Sequence, residues 1–412
     1  MSGLLKFITC GSVDDGKSTL IGHMLYDAKL LFTDQERTLE LDSKVGRRGG
    51  KIDYSLLLDG LMAEREQGIT IDVAYRYFST ERRSFIVADT PGHEEYTRNM
   101  AVGASFAELA VILIDATKGI LTQTRRHARI CALMGIRYFV FAVNKMDLIY
   151  FDQIQYRKIE KDIRKLAVEL DLAHVDIIPV SATEGDNVTH NSSRCPWYTG
   201  KSLLDYLESI ELSEDVRVDH FVLPVQRVCR PNHTFRGFQG QISAGSVAVG
   251  DEVRILPSGE TAQVKRILCT DREVERAQRG QPITLQLGRE VDVSRGCVIT
   301  RDPNLHIGRL FVATILWMDD VPLEIGKTFF AKVGVKVIPA TVMHIKYKVD
   351  VHTGEQLAAK KLWKNEIAVC EFALSDKIVF DTFSGYKDLG CFILMDILVR
   401  EYRCSGGTDT AN

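Results

Sequence analysis

Paired cysteines are missing: the nine thiols fall at positions 10, 131, 195, 229, 269, 297, 370, 391 and 404, and no two of them make a C-x-x-C. An odd, scattered set of this kind argues against a disulfide framework and against a zinc site. Several sit in apolar runs, such as Val369-Cys370 and Gly390-Cys391-Phe392, where a thiol behaves as a small buried hydrophobe. A reducing compartment is therefore expected. Nor does any stretch reach the ~18 to 20 apolar residues that span a bilayer. Functional glycines follow the first residues almost at once, with no charged leader before them, so no secretory signal and a cytoplasmic location are expected. Excess charge is lacking too: 52 Lys and Arg stand against 55 Asp and Glu, a formal −3, which provides no overall basic field for nucleic acid. Local basic runs (Lys44, Arg47, Arg48 and Lys51; Arg125, Arg126 and Arg129) read first as solvated faces. Internal repeats and low-complexity tracts are absent as well.

What remains is a globular composition, 45% hydrophobic and 26% charged, on a chain of 412 residues that implies two to four domains. The first half alternates apolar strand-like runs (4–9, 84–88, 109–114, 138–143 and 176–179) with helical stretches. These helices start near Lys17 and Glu94 and cover 123–134 and 156–169. Strands that are apolar throughout and alternate with helices predict an α/β domain with a mostly parallel sheet covered on both faces. Near residue 215 the pattern changes. Short β-type runs follow, punctuated by Pro231-Asn232, Gly245-Ser246, Val249-Gly250-Asp251 and Pro257-Ser258-Gly259, which predicts barrels or sandwiches. A second such stretch begins near Leu310, so the domain limits are expected at 1–216, 217–304 and 305–412, with the last join at Arg301-Asp302-Pro303-Asn304. Residues 405–412 read as a frayed tail.

Gly11-Ser12-Val13-Asp14-Asp15-Gly16-Lys17-Ser18 fits G-x-x-x-x-G-K-[ST] throughout, after a strand and opening a helix. That context weighs against a chance glycine-rich loop. The glycines let backbone N–H groups cradle phosphate oxygens at the helix N-terminus. Lys17 would reach the β- and γ-phosphates, and the Ser18 hydroxyl would ligate Mg²⁺. Asn144-Lys145-Met146-Asp147 follows the strand at 138–143 and matches the guanine-reading N-K-x-D. Asp147 can accept the guanine N1–H and amine, Lys145 can lay its stem over the base, and Asn144 can tie the loop to the phosphate loop. Ser181-Ala182 matches the companion loop, whose backbone N–H would serve the guanine O6. Asp89-Thr90-Pro91-Gly92-His93 is a D-x-x-G element. There Asp89 would hold Mg²⁺ through water, the Gly92 N–H would sense the γ-phosphate, and His93 would orient the attacking water. Thr70, in Arg65-Glu66-Gln67-Gly68-Ile69-Thr70, is the candidate hydroxyl that completes the Mg²⁺ shell in the triphosphate state. The ~50 residues between Ser18 and Thr70 suggest a mobile insert with its own helices. Catalysis would rest on His93, Thr70, Lys17 and Gly92, and metal binding on Ser18, Thr70 and Asp89.

Taken together, R-E-x-G-I-T, D-T-P-G-H-E and N-K-M-D resemble the translation-factor class of GTPases, elongation factor Tu and its relatives. Longer stretches, among them LLKFITCGSVDDGKSTLIG, VADTPGHEEYTRNMAVGAS and QTRRHARICALMGI, resemble the GTPase subunits of bacterial sulfate adenylyltransferase. Asp15 favours the second likeness, because elongation factors usually carry histidine there. FSGYKDLGCFILMD departs from it in lacking the Asn-Pro-x-Thr-Gly expected before that strand. The resemblance implies a P-loop GTPase domain followed by two small all-β barrels. It also implies a GTP- and Mg²⁺-dependent subunit that works with a small catalytic subunit. That partner transfers AMP from ATP to sulfate, and GTP hydrolysis drives the unfavourable step. Some members carry a fused adenylylsulfate kinase; without a second P-loop, this chain is expected to lack it. A translation factor delivering charged tRNA is the runner-up. A binding switch without hydrolysis is opposed by Thr70, Gly92 and His93. Neither nucleic acid nor membrane is expected as a partner.

Overall fold

The computed structural model describes residues 3–27, 70, 72–212, 220–232, 235–270, 272–351, 353–396 and 402–411. The expected insert after the first helix, Arg65 to Ile69 of the R-E-x-G-I-T run and the basic residues Lys44 to Lys51 lie outside them. Two compact units result, one built on Met1–Leu212 with Val351–Gly354, the other on Ser213–Asp350 with Glu355–Asn412.

The first unit is built on strands β1 (Leu4–Cys10), β2 (Ala74–Ser79), β3 (Ser84–Asp89), β4 (Leu109–Asp115), β5 (Tyr138–Asn144) and β6 (His174–Pro179). They form one six-stranded sheet in the order β2-β3-β1-β4-β5-β6. Only β2 runs antiparallel, pairing with β3; the other neighbours are parallel. Every residue of β4 (LAVILID) and β5 (YFVFAVN) is buried, as continuous apolar runs require when helices cover both faces. The covering helices are α1 (Lys17–Asp27), α2 (Thr97–Phe106), α3 (Thr122–Leu133), α4 (Gln153–Glu169) and the short α5 (Leu203–Ser209). Helix α4 buries Tyr156, Ile159, Ile163 and Leu166, spaced three and four apart on one face. It starts three residues before the expected 156 because Asp152 caps it, accepting a bond from the Ile154 N–H at 2.8 Å. The helix expected from Glu94 is divided: a 3₁₀ turn over Glu94–Tyr96 comes first, and Thr97 Oγ1 donates to Glu94 O at 2.6 Å where α2 begins. Strand β1 lies between β3 and β4, so the connections leave in opposite directions beside it. In an open α/β sheet this switch point opens a ligand crevice at the strands' C-terminal ends.

The second unit holds two β-barrels. One has a core of Phe221, Leu223, Phe238, Val253, Ile255, Ile267 and Leu285 among others. The other encloses Phe311, Trp317, Phe329, Phe372, Phe392 and their neighbours. In the C-terminal barrel, Thr328–Val333 pairs on one side with Lys336–Val349 and on the other with Cys391–Met395. The ring of strands therefore closes, which removes free edges. Val222, Leu256, Val298, Val379 and Leu389 form a shared buried patch between the barrels. There Tyr386 Oη donates to Asp302 Oδ2 at 2.5 Å and Ser243 Oγ to Asp388 Oδ2 at 2.7 Å. One expectation is corrected. Residues 405–411 are not frayed: Tyr402–Ala411 is a strand that pairs with both His306–Trp317 and Cys391–Met395. Two flanking strands satisfy backbone N–H and C=O groups whatever side chains they carry, so a polar, glycine-containing run is held there.

Candidate nucleotide site

Strand β1 delivers the chain to Gly11, and the next turns are left-handed at Asp14 (φ 66°) and Gly16 (φ 91°). A Cβ at Gly16 would lie 2.5 Å from Asn144 Nδ2, so the position has neither the space nor the backbone angle for a larger residue. Asp15 braces the loop from within. Its Oδ2 accepts the Ser12 N–H at 2.6 Å, and its carbonyl accepts Asn144 Nδ2 at 2.7 Å. Burial pushes the Asp15 carboxyl above its ordinary value, opposed by Lys17 and the Ser12 N–H. Lys17 is buried, and its Nζ donates to the carbonyls of Gly11 (3.1 Å) and Ser12 (2.8 Å). Burial lowers its ammonium, with Asp89 and Asp15 opposing. Gly92 packs against this point: a Cβ there would be 2.6 Å from Lys17 Nζ and 2.8 Å from Gly11 O. Val13 is half-buried and Asp14 exposed.

At the end of β3, Asp89 Oδ1 accepts Thr9 Oγ1 (3.1 Å) and Oδ2 accepts Ser18 Oγ (3.3 Å). Thr90 Oγ1 donates to Thr9 O at 2.7 Å, fixing the strand that carries Asp89. Carboxylate and hydroxyl oxygens side by side, next to a buried lysine, are the donor set a hard divalent cation takes, so Ser18 and Asp89 fit Mg²⁺. Thr70 is half-buried, and among the described residues no hydrogen bond joins it to Ser18 or Asp89. Pro91 is buried. His93 is exposed and caps the 3₁₀ turn, its Nδ1 accepting the Glu95 N–H at 3.2 Å.

The residues expected to read the base lie around Asn144. Its Nδ2 reaches the phosphate loop at Asp15 O, and its Oδ1 accepts the Ala182 N–H at 2.9 Å, so one amide side chain joins three segments. Lys145 adopts φ 63° and pairs with Asp115 Oδ2 at 2.7 Å. Burial alone would raise the Asp115 carboxyl; the bonds from Lys145 and Thr117 outweigh it and hold the group below its ordinary value. Asp147 Oδ1 accepts Ser181 Oγ at 2.6 Å. Met146 is fully buried and packs inward, its N–H donating to Val180 O at 3.2 Å. The Ser181 N–H is bound to Asp186 O at 3.0 Å, so both amides of the Ser181-Ala182 pair are engaged within the protein. Sequence reasoning missed Thr9 and Asp115. Asp115 had a signal: it ends the all-apolar strand β4 at the edge where ligands bind. The arginines of α3 are committed to acids. Arg125 and Arg129 reach Glu169 at 2.8 and 3.1 Å, and Arg126 reaches Glu94 at 2.8 Å.

Residues 2–214 match the elongation factor Tu GTP binding domain, and residues 310–404 match the GTP-eEF1A C-terminal domain-like family. The sulfate adenylyltransferase subunit 1 of Francisella tularensis subsp. novicida is 49% identical over 397 residues, covering 96% of this chain and 84% of the relative. The chain belongs to this family. Another subunit 1, from Bacteroides fragilis, is 50% identical over 395 residues, 95% of this chain and 83% of its own length. The bifunctional enzyme CysN/CysC of Xylella fastidiosa is 52% identical over 396 residues, but the chain spans only 63% of that relative. As a member of the subunit 1 family, the chain carries its GTP-binding domain on the sheet just described, with the two barrels behind it in sequence. The likeness runs through the barrels at nearly full coverage, which favours this family over tRNA-delivering elongation factors. Among the described residues no helix is long and apolar enough to cross a membrane.

Proposed function

We propose that this chain is the GTP-hydrolysing subunit of a sulfate adenylyltransferase. It would couple GTP hydrolysis to the partner's formation of adenosine 5′-phosphosulfate and pyrophosphate from ATP and sulfate. The observation that carries the reading is the Asn144 bridge. It locks the phosphate loop, the N-K-M-D turn and the Ser181-Ala182 loop into one surface at the switch point of the sheet. Family membership then supplies the reaction that such a surface would serve. In this reading, domains span 1–216, 217–304 and 305–412, and the partner is a small catalytic subunit in the cytoplasm. The free thiols among the described residues fit such a compartment.

Each residue then has a task. An ammonium has three donors; two of Lys17's hold the loop, and the remaining one would meet a β- or γ-phosphate oxygen. Backbone N–H groups of residues 12–18 would cradle the phosphates. Ser18 and Asp89, joined by Thr70 in the triphosphate state, would hold Mg²⁺, which when bound neutralises phosphate charge. Gly92 would follow the γ-phosphate and move when it leaves. His93, exposed and tethered through Nδ1, has Nε2 left to orient the attacking water. Asp147 would read the guanine amine and N1–H, and the Lys145 stem would cover the base.

The test is to form the complex with the small subunit and measure adenosine 5′-phosphosulfate at equilibrium. GTP should raise its yield well above that with ATP and sulfate alone, and a non-hydrolysable GTP analogue should not. Equal yields with GTP, with the analogue and with neither would contradict the coupling.

A further inference from the structure

Helix α1 carries a histidine, and the base loop is wrapped around it. His23 is 5% exposed; its Nδ1–H donates to Ala182 O at 2.8 Å, and its Nε2 lies 3.2 Å from Asp27 Oδ2. Asp27 in turn accepts Thr189 Oγ1 at 2.8 Å, at the far end of the same loop. Between these two anchors sits Gly185, with φ +84°. A Cβ there would stand 2.7 Å from His23 Nε2 and 2.9 Å from Cε1, so the missing side chain is what lets the imidazole in. None of these contacts belongs to the phosphate loop, the metal oxygens or the N-K-M-D turn.

We infer that His23 is a positioning residue for guanine recognition, aligning the Thr183 N–H as the donor to the base O6. The peptide between Ala182 and Thr183 is planar and trans, so its C=O and N–H point in opposite directions. Holding Ala182 O on His23 therefore fixes the line along which the Thr183 N–H points. The two preceding amides are already used, Ser181's on Asp186 O and Ala182's on Asn144 Oδ1. Among the described contacts the Thr183 N–H, next in line after these two, has no such acceptor, which leaves it open to a ligand carbonyl. The imidazole thus passes the rigidity of α1 to the loop that meets the base. The inference rests on the guanine reading above.

The experiment compares GTP, inosine triphosphate and 2-aminopurine riboside triphosphate on the full chain. The first two carry O6 and the third does not. His23→Leu should weaken GTP and inosine triphosphate about tenfold each, raising KM while kcat for hydrolysis stays within about twofold. Its affinity for the 2-aminopurine nucleotide should match the parent's. His23→Asn keeps a donor at the Nδ position and should restore GTP affinity to within about twofold of the parent. A His23→Leu chain that binds GTP as the parent does would overturn the inference. So would a loss that is equally large for the 2-aminopurine nucleotide, because general loosening of the loop ignores O6. A parent with no preference for GTP over that analogue would instead overturn the guanine reading itself.

Discussion

Asp147 stands in the N-K-M-D turn with one carboxylate oxygen held by Ser181 Oγ, half-buried and so shielded in part from water. Exchange for an amide would set an N–H donor against the guanine amine. Asp147→Asn should therefore lose about 1 to 3 kcal/mol of GTP binding and gain affinity for xanthosine triphosphate, which offers a carbonyl at that place. Equilibrium titration with both nucleotides checks this, and unchanged GTP affinity would remove Asp147 from base reading. At this scale much of the candidate site's backbone was legible, because Gly16, Lys17, Asn144 and Asp147 stand in motifs whose spacing encodes a loop after a strand. Lys145 shows what spacing leaves out. Its partner Asp115 lies 30 residues away in the chain and meets it only because β4 and β5 pair in parallel. His23 and Thr9 were invisible for the same reason, each defined by a contact with a distant strand or loop.

Helix α3 shows how an element can bury a group that the motifs do not mention. Its buried face includes Thr124, Arg126, His127, Ala128, Ile130 and Cys131. His127 is fully buried with neither ring nitrogen hydrogen-bonded. Burial, then Lys17 and Arg126, lower its pKa to about 3. The unfolded chain takes up a proton on this histidine below about pH 6.5, where the folded chain does not, so acid favours unfolding. Stability contributed by neutral His127 is present above about pH 6.5 and lost as pH falls from there toward 3, by up to ~1.4 kcal/mol per pH unit. His127→Leu should flatten the fall in urea midpoint between pH 7 and pH 4.5 relative to the parent. Parallel slopes would show that His127 titrates normally. Among elements, the apolar strands β1 and β3 to β6 were readable because both faces are covered. The strand Tyr402–Ala411 was not, since its sequence carries no apolar pattern and it is held by pairing with two neighbouring backbones.

On the scale of the whole molecule, the pattern changes near residue 215, and the first compact unit runs to Leu212 before it takes in Val351–Gly354. The barrel cores were legible as alternation, as in TFFAKV, whose second, fourth and sixth residues are buried. Ring closure was not, because the β-bridge between residues 328–333 and 391–395 spans some sixty positions. The central claim is that GTP turnover by this chain answers to the chemistry of a partner subunit. Phosphate release from GTP should be slow for the isolated chain, since the γ-phosphate contact proposed for Gly92 would work by switching between two arrangements that a partner can bias. The most direct measurement follows GTP hydrolysis by the full chain with the small adenylyltransferase subunit, with and without ATP and sulfate. Turnover should rise when all are present and fall back when either substrate is withheld. Turnover indifferent to ATP and sulfate, but stimulated by ribosomes or charged tRNA, would contradict the account.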